Sequence, residues 1–105
     1  MSNHVHLVVA AANNDTREIR RDFKKFTAKE IIRAIRENPV ESRKAWMLAI
    51  FNRRGKSNSR NMGDQFWRQD NQAKVLFSQA FTQQKLDYVH NNPVEAGIVE
   101  RAADY

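Results

Sequence analysis

The chain has no cysteine, which excludes disulfides and thiolate metal sites alike. It has no apolar run near the roughly 20 residues that a membrane-spanning helix needs. Its first residues lack the basic-then-apolar pattern of a secretory signal, so the expectation is a cytoplasmic protein with no membrane partner. Internal repeats and low-complexity tracts are also missing. What remains is a 105-residue chain of ordinary apolar content, 41%, and high charge, 29%. That length suits a single domain able to bury roughly 65% of its unfolded surface.

Charge is the first positive signal. The net +6 is uneven: residues 17 to 60 hold 14 of the 18 Lys and Arg but 5 of the 12 Asp and Glu, or +9, leaving −3 elsewhere. Such polarity suits either a polyanion bound on one surface, most often nucleic acid, or a solvated basic helix.

Taken in order, His4-Val5-His6-Leu7-Val8-Val9-Ala10-Ala11 reads as a buried strand. Period two puts His4, His6, Val8 and Ala10 on one face. Asn13 to Thr16 form a polar turn with helix N-cap candidates. The spacing then predicts a helix to about Asn38. Ile19, Phe23, Phe26, Ala28, Ile31, Ile32 and Ile35 form its apolar stripe, and Arg17, Arg21, Lys24, Lys25, Lys29, Arg33 and Arg36 its opposite face. Pro39 stops it.

A second helix is expected from about Val40 to Arg53, with Trp46, Leu48, Ile50 and Phe51 inward and Gly55 as its C-terminal stop. Residues 55 to 64 read as a basic loop flanked by glycines. Gln65-Phe66-Trp67-Arg68 and Lys74 to Phe77 read as short strands, and Ser78 as the cap of a last helix running to about Asn91 before Pro93.

Two places carry chemistry. His4 and His6 on one strand face put two imidazoles about 6.5 Å apart at Cα, close enough to grip one divalent ion, though such pairs also serve packing or surface roles. On the last helix Tyr88 and Asn92 stand one turn apart. An amide oxygen beside two imidazoles would complete an open site suited to Mg²⁺ or Mn²⁺, with free positions for phosphate oxygens. The alternative makes Tyr88 a half-buried helix aromatic and Asn92 a C-cap. Phe66 and Trp67 are either core residues or stacking platforms for an unpaired base.

A resemblance sharpens this. Asn3-His4-Val5-His6-Leu7-Val8-Val9 looks like the HUH motif of single-tyrosine insertion-sequence transposases. Lys85-Leu86-Asp87-Tyr88-Val89-His90-Asn91-Asn92-Pro93-Val94-Glu95-Ala96-Gly97-Ile98-Val99 closely resembles their catalytic-tyrosine helix. Arg21 to Thr27 and Gln65 to Asn71 resemble the connecting segments, and the match is best to REP-associated tyrosine transposases.

The resemblance implies an α+β fold, a ferredoxin-like core with a small antiparallel sheet and helices on one face. It also implies that the chain opens inside the motif region, as an N-terminally truncated domain whose first strand and helix are missing. Tyr88 would be the nucleophile that forms a 5′-phosphotyrosine link, and His4, His6 and Asn92 would hold Mg²⁺ or Mn²⁺. The implied substrate is single-stranded or hairpin DNA, cut and rejoined in transposition.

The basic positions Arg17, Arg21, Lys24, Lys25 and Lys29, with Arg53, Arg54, Lys56 and Arg60, would carry the DNA backbone. His90 and Asn91 would either cap the helix end or touch DNA. The chain would act as a monomer, or as a homodimer with an exchanged or completed sheet. The competing expectation is a catalytically inactive remnant that still binds DNA hairpins.

Overall fold

A computed structural model of the chain describes residues 3–105. Three α-helices carry it: α1 (Arg17–Glu37), α2 (Lys44–Lys56) and α3 (Gln79–Glu95), followed by a 3₁₀ turn at Ala102–Asp104. The chain divides into two compact units, one of Ala11–Asn71 and one that joins the residues up to Ala10 with Gln72–Tyr105. No helix of the described residues is long and apolar enough to cross a membrane.

The expected α+β fold, with its ferredoxin-like antiparallel sheet, is corrected: among the described residues there is no strand, and the protein is all-α. Residues 4–11, 65–68 and 74–77 have the composition of strands but form no ladder. A strand is stabilised by a ladder and by cross-strand packing rather than by an intrinsic backbone preference. Lacking both, the first run leaves Val5, Leu7, Val8 and Val9 about half exposed.

In the Ala11–Asn71 unit, α1 starts where the turn predicts, with Thr16 at the N-cap position but the side-chain bond supplied by Asp15. Asp15 Oδ1 accepts the Arg17 backbone N–H at 2.9 Å, and its carboxylate is gripped by the same residue's guanidinium at 2.7 Å. That guanidinium holds the Asp15 carboxyl below its ordinary value of 3.8. Asn38 turns extended before Pro39 and ends the helix. The core is thin. Ile32 is its buried aliphatic side chain, and beside it Phe23 packs on Trp67 (6.0 Å between centroids), Trp67 on Phe66 (5.1 Å) and Phe66 on Phe51 (5.3 Å). Trp67 Nε1 donates to Thr27 Oγ1 at 2.8 Å. Phe66 and Trp67 are therefore half-buried members of this cluster, whereas Trp46, expected inward, is 63% exposed.

Gly55 does not end α2 but lies inside its last turn, buried. The segment after the helix folds back so closely that a Cβ on Gly55 would stand 1.7 Å from the Gly63 carbonyl oxygen. This return is tied by Gln65 N–H to the Phe51 carbonyl (2.9 Å), Asn52 Nδ2 to Asp64 Oδ1 (3.2 Å) and Asn58 Nδ2 to Gln65 Oε1 (2.9 Å). Arg36 of α1 reaches Asp64 at 3.6 Å.

In the other unit Ser78 caps α3 as expected, its Oγ accepting from Phe81 N–H at 3.1 Å. The helix runs on through Pro93, which is buried, to Glu95. It ends in a Schellman turn: Gly97 at φ +68° donates to the Val94 carbonyl and Ile98 to the Pro93 carbonyl, both at 2.9 Å. The left-handed φ is what requires glycine there.

Candidate functional site

The two chemistry-bearing stretches lie in one unit and meet. Segment 4–6 lies against α3, with the His4 and His6 ring centroids 5.0 Å apart and nearly perpendicular at 86°. His6 in turn stands edge-on to Tyr88, at 5.5 Å and 81°. The alignment on α3 follows helical spacing: Lys85 Nζ lies 5.1 Å from the Phe81 ring and 5.9 Å from the Tyr88 ring. Phe77 stacks on Phe81 at 4.8 Å. One phenol, two imidazoles and an ammonium group are thereby gathered beside a half-exposed tyrosine, whose exposure is 47%.

A cavity of about 390 Å³ opens here, lined by His4, Val5, His6, Val89, His90, Pro93, Ala102 and Tyr105. His90 and Tyr105 are thus wall residues. His90 was open to a role from its sequence position, but Tyr105 carries no sequence signal, since it reaches the wall only because the 3₁₀ turn packs against α3. The C-cap alternative for Asn92, and for His90 and Asn91, does not hold. The helix end is closed by backbone bonds four to six residues further on, and Asn92 is a half-buried residue within the helix whose carbonyl accepts from Ala96.

The residues fit a divalent ion in part. His6 Nε2 is buried and has no hydrogen-bond partner, the state of a nitrogen that a metal would satisfy. His4 Nδ1 is engaged by Asn3 Oδ1 at 2.7 Å, the kind of outer contact that orients a ligating imidazole. Among the described residues no cluster of three or more His, Cys, Asp or Glu is set to hold a metal. A third protein ligand would have to be of another type, as the Asn92 amide is.

The basic positions all belong to the Ala11–Asn71 unit, and they differ in availability. Arg17 is held by Asp15, and Arg21 by Asp22 at 2.9 Å and Glu18 at 3.7 Å. Lys24 is drawn back, its Nζ donating to the Arg68 carbonyl at 2.8 Å, and partial burial, reinforced by Arg20, pushes its pKa down. Lys25, Lys29, Arg53, Arg54, Lys56 and Arg60 are exposed. The last turn of α2 is the most strongly basic patch, with Arg53, Arg54 and Lys56 in four residues.

No family model, curated protein or solved structure matches the chain.

Proposed function

We propose that the chain belongs to the class of divalent-metal-dependent enzymes that cut and rejoin single-stranded DNA through a phosphotyrosine link. Within that class, the resemblance of residues 3–9 and 85–99 favours a transposase of the single-tyrosine HUH kind, best likened to the REP-associated ones. One observation carries the reading: His6, with a buried and unsatisfied Nε2, lies against Tyr88 at 5.5 Å, although 82 residues separate them in sequence.

Each group then has a part. Tyr88 Oη attacks the scissile phosphorus. The Oη–P bond forms as the bond from phosphorus to the 3′ oxygen breaks, the phenolic proton passes to solvent, and the departing 3′ oxygen takes one up. The link stores the phosphodiester energy, and a 3′ hydroxyl attacking it reverses the step. Lys85, beside the tyrosine ring, supplies positive charge where the phosphate would approach. His4, His6 and Asn92 are the residues that would hold Mg²⁺ or Mn²⁺, which when bound supplies Lewis-acid polarisation of the phosphate.

A second reading has its own support. The histidines ride on a segment with no ladder to fix it, which suits a hairpin-binding remnant that no longer cuts. One experiment separates the two. The chain is incubated with Mn²⁺ and a panel of single-stranded hairpins, and protein–DNA adducts stable to SDS are scored. An adduct that Tyr88→Phe abolishes is expected. Binding without adduct assigns the remnant reading, and cleavage that survives Tyr88→Phe points to a plain hydrolase.

A further inference from the structure

The Ala11–Asn71 unit packs one of its tryptophans and leaves the other out. Trp67 sits in the aromatic cluster with its indole N–H satisfied, whereas Trp46 on α2 is 63% exposed. A ring of that size is ordinarily among the first things a fold covers. The inward side of α2 is taken by Phe51, against Phe66, and by Gly55, against the returning segment. At 100° per residue Trp46 falls opposite Gly55, and the exposed residues nearest it are Ala49 and Arg53. Arg53 lies almost in line with Trp46, seven residues or about 10.5 Å further along the axis. Ala45 and Ala49 add only methyl groups beside the ring.

Charge decides what kind of partner this face suits. α2 carries Lys44, Arg53, Arg54 and Lys56 and no acidic residue. The unit as a whole holds 15 basic against 8 acidic residues, or +7. A second copy placed across a two-fold axis would bring the cations of α2 against themselves with no acidic residue to meet them, so like charges would oppose the pairing. A flat aromatic followed by cations along one line instead matches a single nucleic-acid strand, which offers a base to stack on and phosphates on either side.

We infer that Trp46 is a base-stacking platform for single-stranded DNA, with Arg53 holding an adjacent phosphate. The inference rests on the proposed function only in taking DNA as the ligand, and is independent of whether Tyr88 cuts it.

The test measures binding of a 5′-labelled dT 12-mer to the full chain by anisotropy across a salt series. Trp46→Ala, Trp46→Phe and Arg53→Ala are compared with the wild type, with far-UV circular dichroism as the check on folding. Trp46→Ala is expected to weaken binding about tenfold, the worth of one stacked base, with the slope of log K against log salt unchanged because no cation is lost. Trp46→Phe should retain most of the affinity. Arg53→Ala should make the slope shallower by about 0.7. Indole emission should be quenched by the oligonucleotide in the wild type and not in Trp46→Phe, which keeps only Trp67, packed in the aromatic cluster.

Wild-type affinity in a folded Trp46→Ala overturns the stacking role and leaves the proposed function standing. A change in sedimentation on that substitution, without a change in DNA affinity, overturns it in favour of a self-association surface. Failure of the wild type to bind the strand at any salt overturns this inference, and failure to bind the hairpin panel as well overturns the proposed function. Binding with no covalent adduct overturns only the catalytic role of Tyr88.

Discussion

Replacing Gly55 by alanine sets two physical effects of opposite sign against each other. In an ordinary helix the change is favourable by about 1 kcal/mol, because alanine loses less backbone entropy on folding. Here the new Cβ would lie 1.7 Å from the Gly63 carbonyl oxygen and 2.7 Å from its carbon, against an ordinary contact of 3.4 Å or more. Both are backbone atoms, so no rotamer change relieves the overlap. The returning segment must move off α2 by more than an ångström. That breaks the Gln65 N–H bond to Phe51, which stands at 2.9 Å, at about 1 kcal/mol. It also loosens the Phe51–Phe66 pair, worth about 0.5–1.5 kcal/mol beyond its area. With the amide bonds of Asn52 and Asn58 disturbed as well, the loss is about 2–4 kcal/mol and the net destabilisation about 1–3 kcal/mol.

Both tryptophans belong to the unit that contains Gly55, so urea unfolding followed by indole emission reports that unit without interference from the rest of the chain. The midpoint should fall in Gly55→Ala. A midpoint equal to or above that of the wild type would mean that helix propensity governs the position and that the close crossing with Gly63 is not present in solution.

Ser78→Ala should destabilise α3 by about 1 kcal/mol through loss of the cap on Phe81 N–H. Thermal melts by far-UV circular dichroism should detect this while tryptophan emission stays unchanged, and a shift in emission would contradict the division into units. Acid should weaken the Ala11–Asn71 unit in a defined window. Hydrogen bonds from Arg17 to Asp15, and from Arg43 to Glu41, hold both carboxyls below their ordinary values of 3.8 and 4.5. A depressed folded value stabilises above the unfolded pKa and is lost as pH falls through the folded one. The urea midpoint should thus be flat from pH 7 to about 5 and decline below about 4. Asp15→Asn with Glu41→Gln should flatten that decline, and an undiminished decline would assign it to other groups.

The helices were legible because their signals are local. Pro39, Ser78 and the 3.6-residue spacing of Ile19 through Ile35 need nothing from distant residues, and α1 and the start of α3 fall where those signals put them. The absence of strands was not, because strand-like composition at His4–Ala11 states only what the residues would do beside a partner. Gly55 was taken for a stop because helix ends favour glycine, yet what fixes it is the return of Gly63, nine residues of chain that no local pattern describes. Trp46 was assigned inward because an apolar residue counts toward a face. Which side of α2 is covered depends on where Phe66 arrives.

The candidate site joins one element of each kind, and this sets the physical demand on it. α3 is capped at Ser78 and closed by the Gly97 turn, so Tyr88, Lys85 and Asn92 stand on a rigid frame. The histidines stand on segment 4–6, held in register by side-chain contacts such as that of His6 with Tyr88 rather than by a ladder. The proposed chemistry at phosphorus would demand placement to within about half an ångström. Leaving a buried nitrogen such as His6 Nε2 without a partner carries a penalty of about 1–3 kcal/mol. A ligand that satisfies that nitrogen removes the penalty and ties the segment to the helix in the same act. On this account the site's order depends on what it binds, and an active chain would differ from an inactive one less in Tyr88 than in how firmly residues 4–6 are held against it.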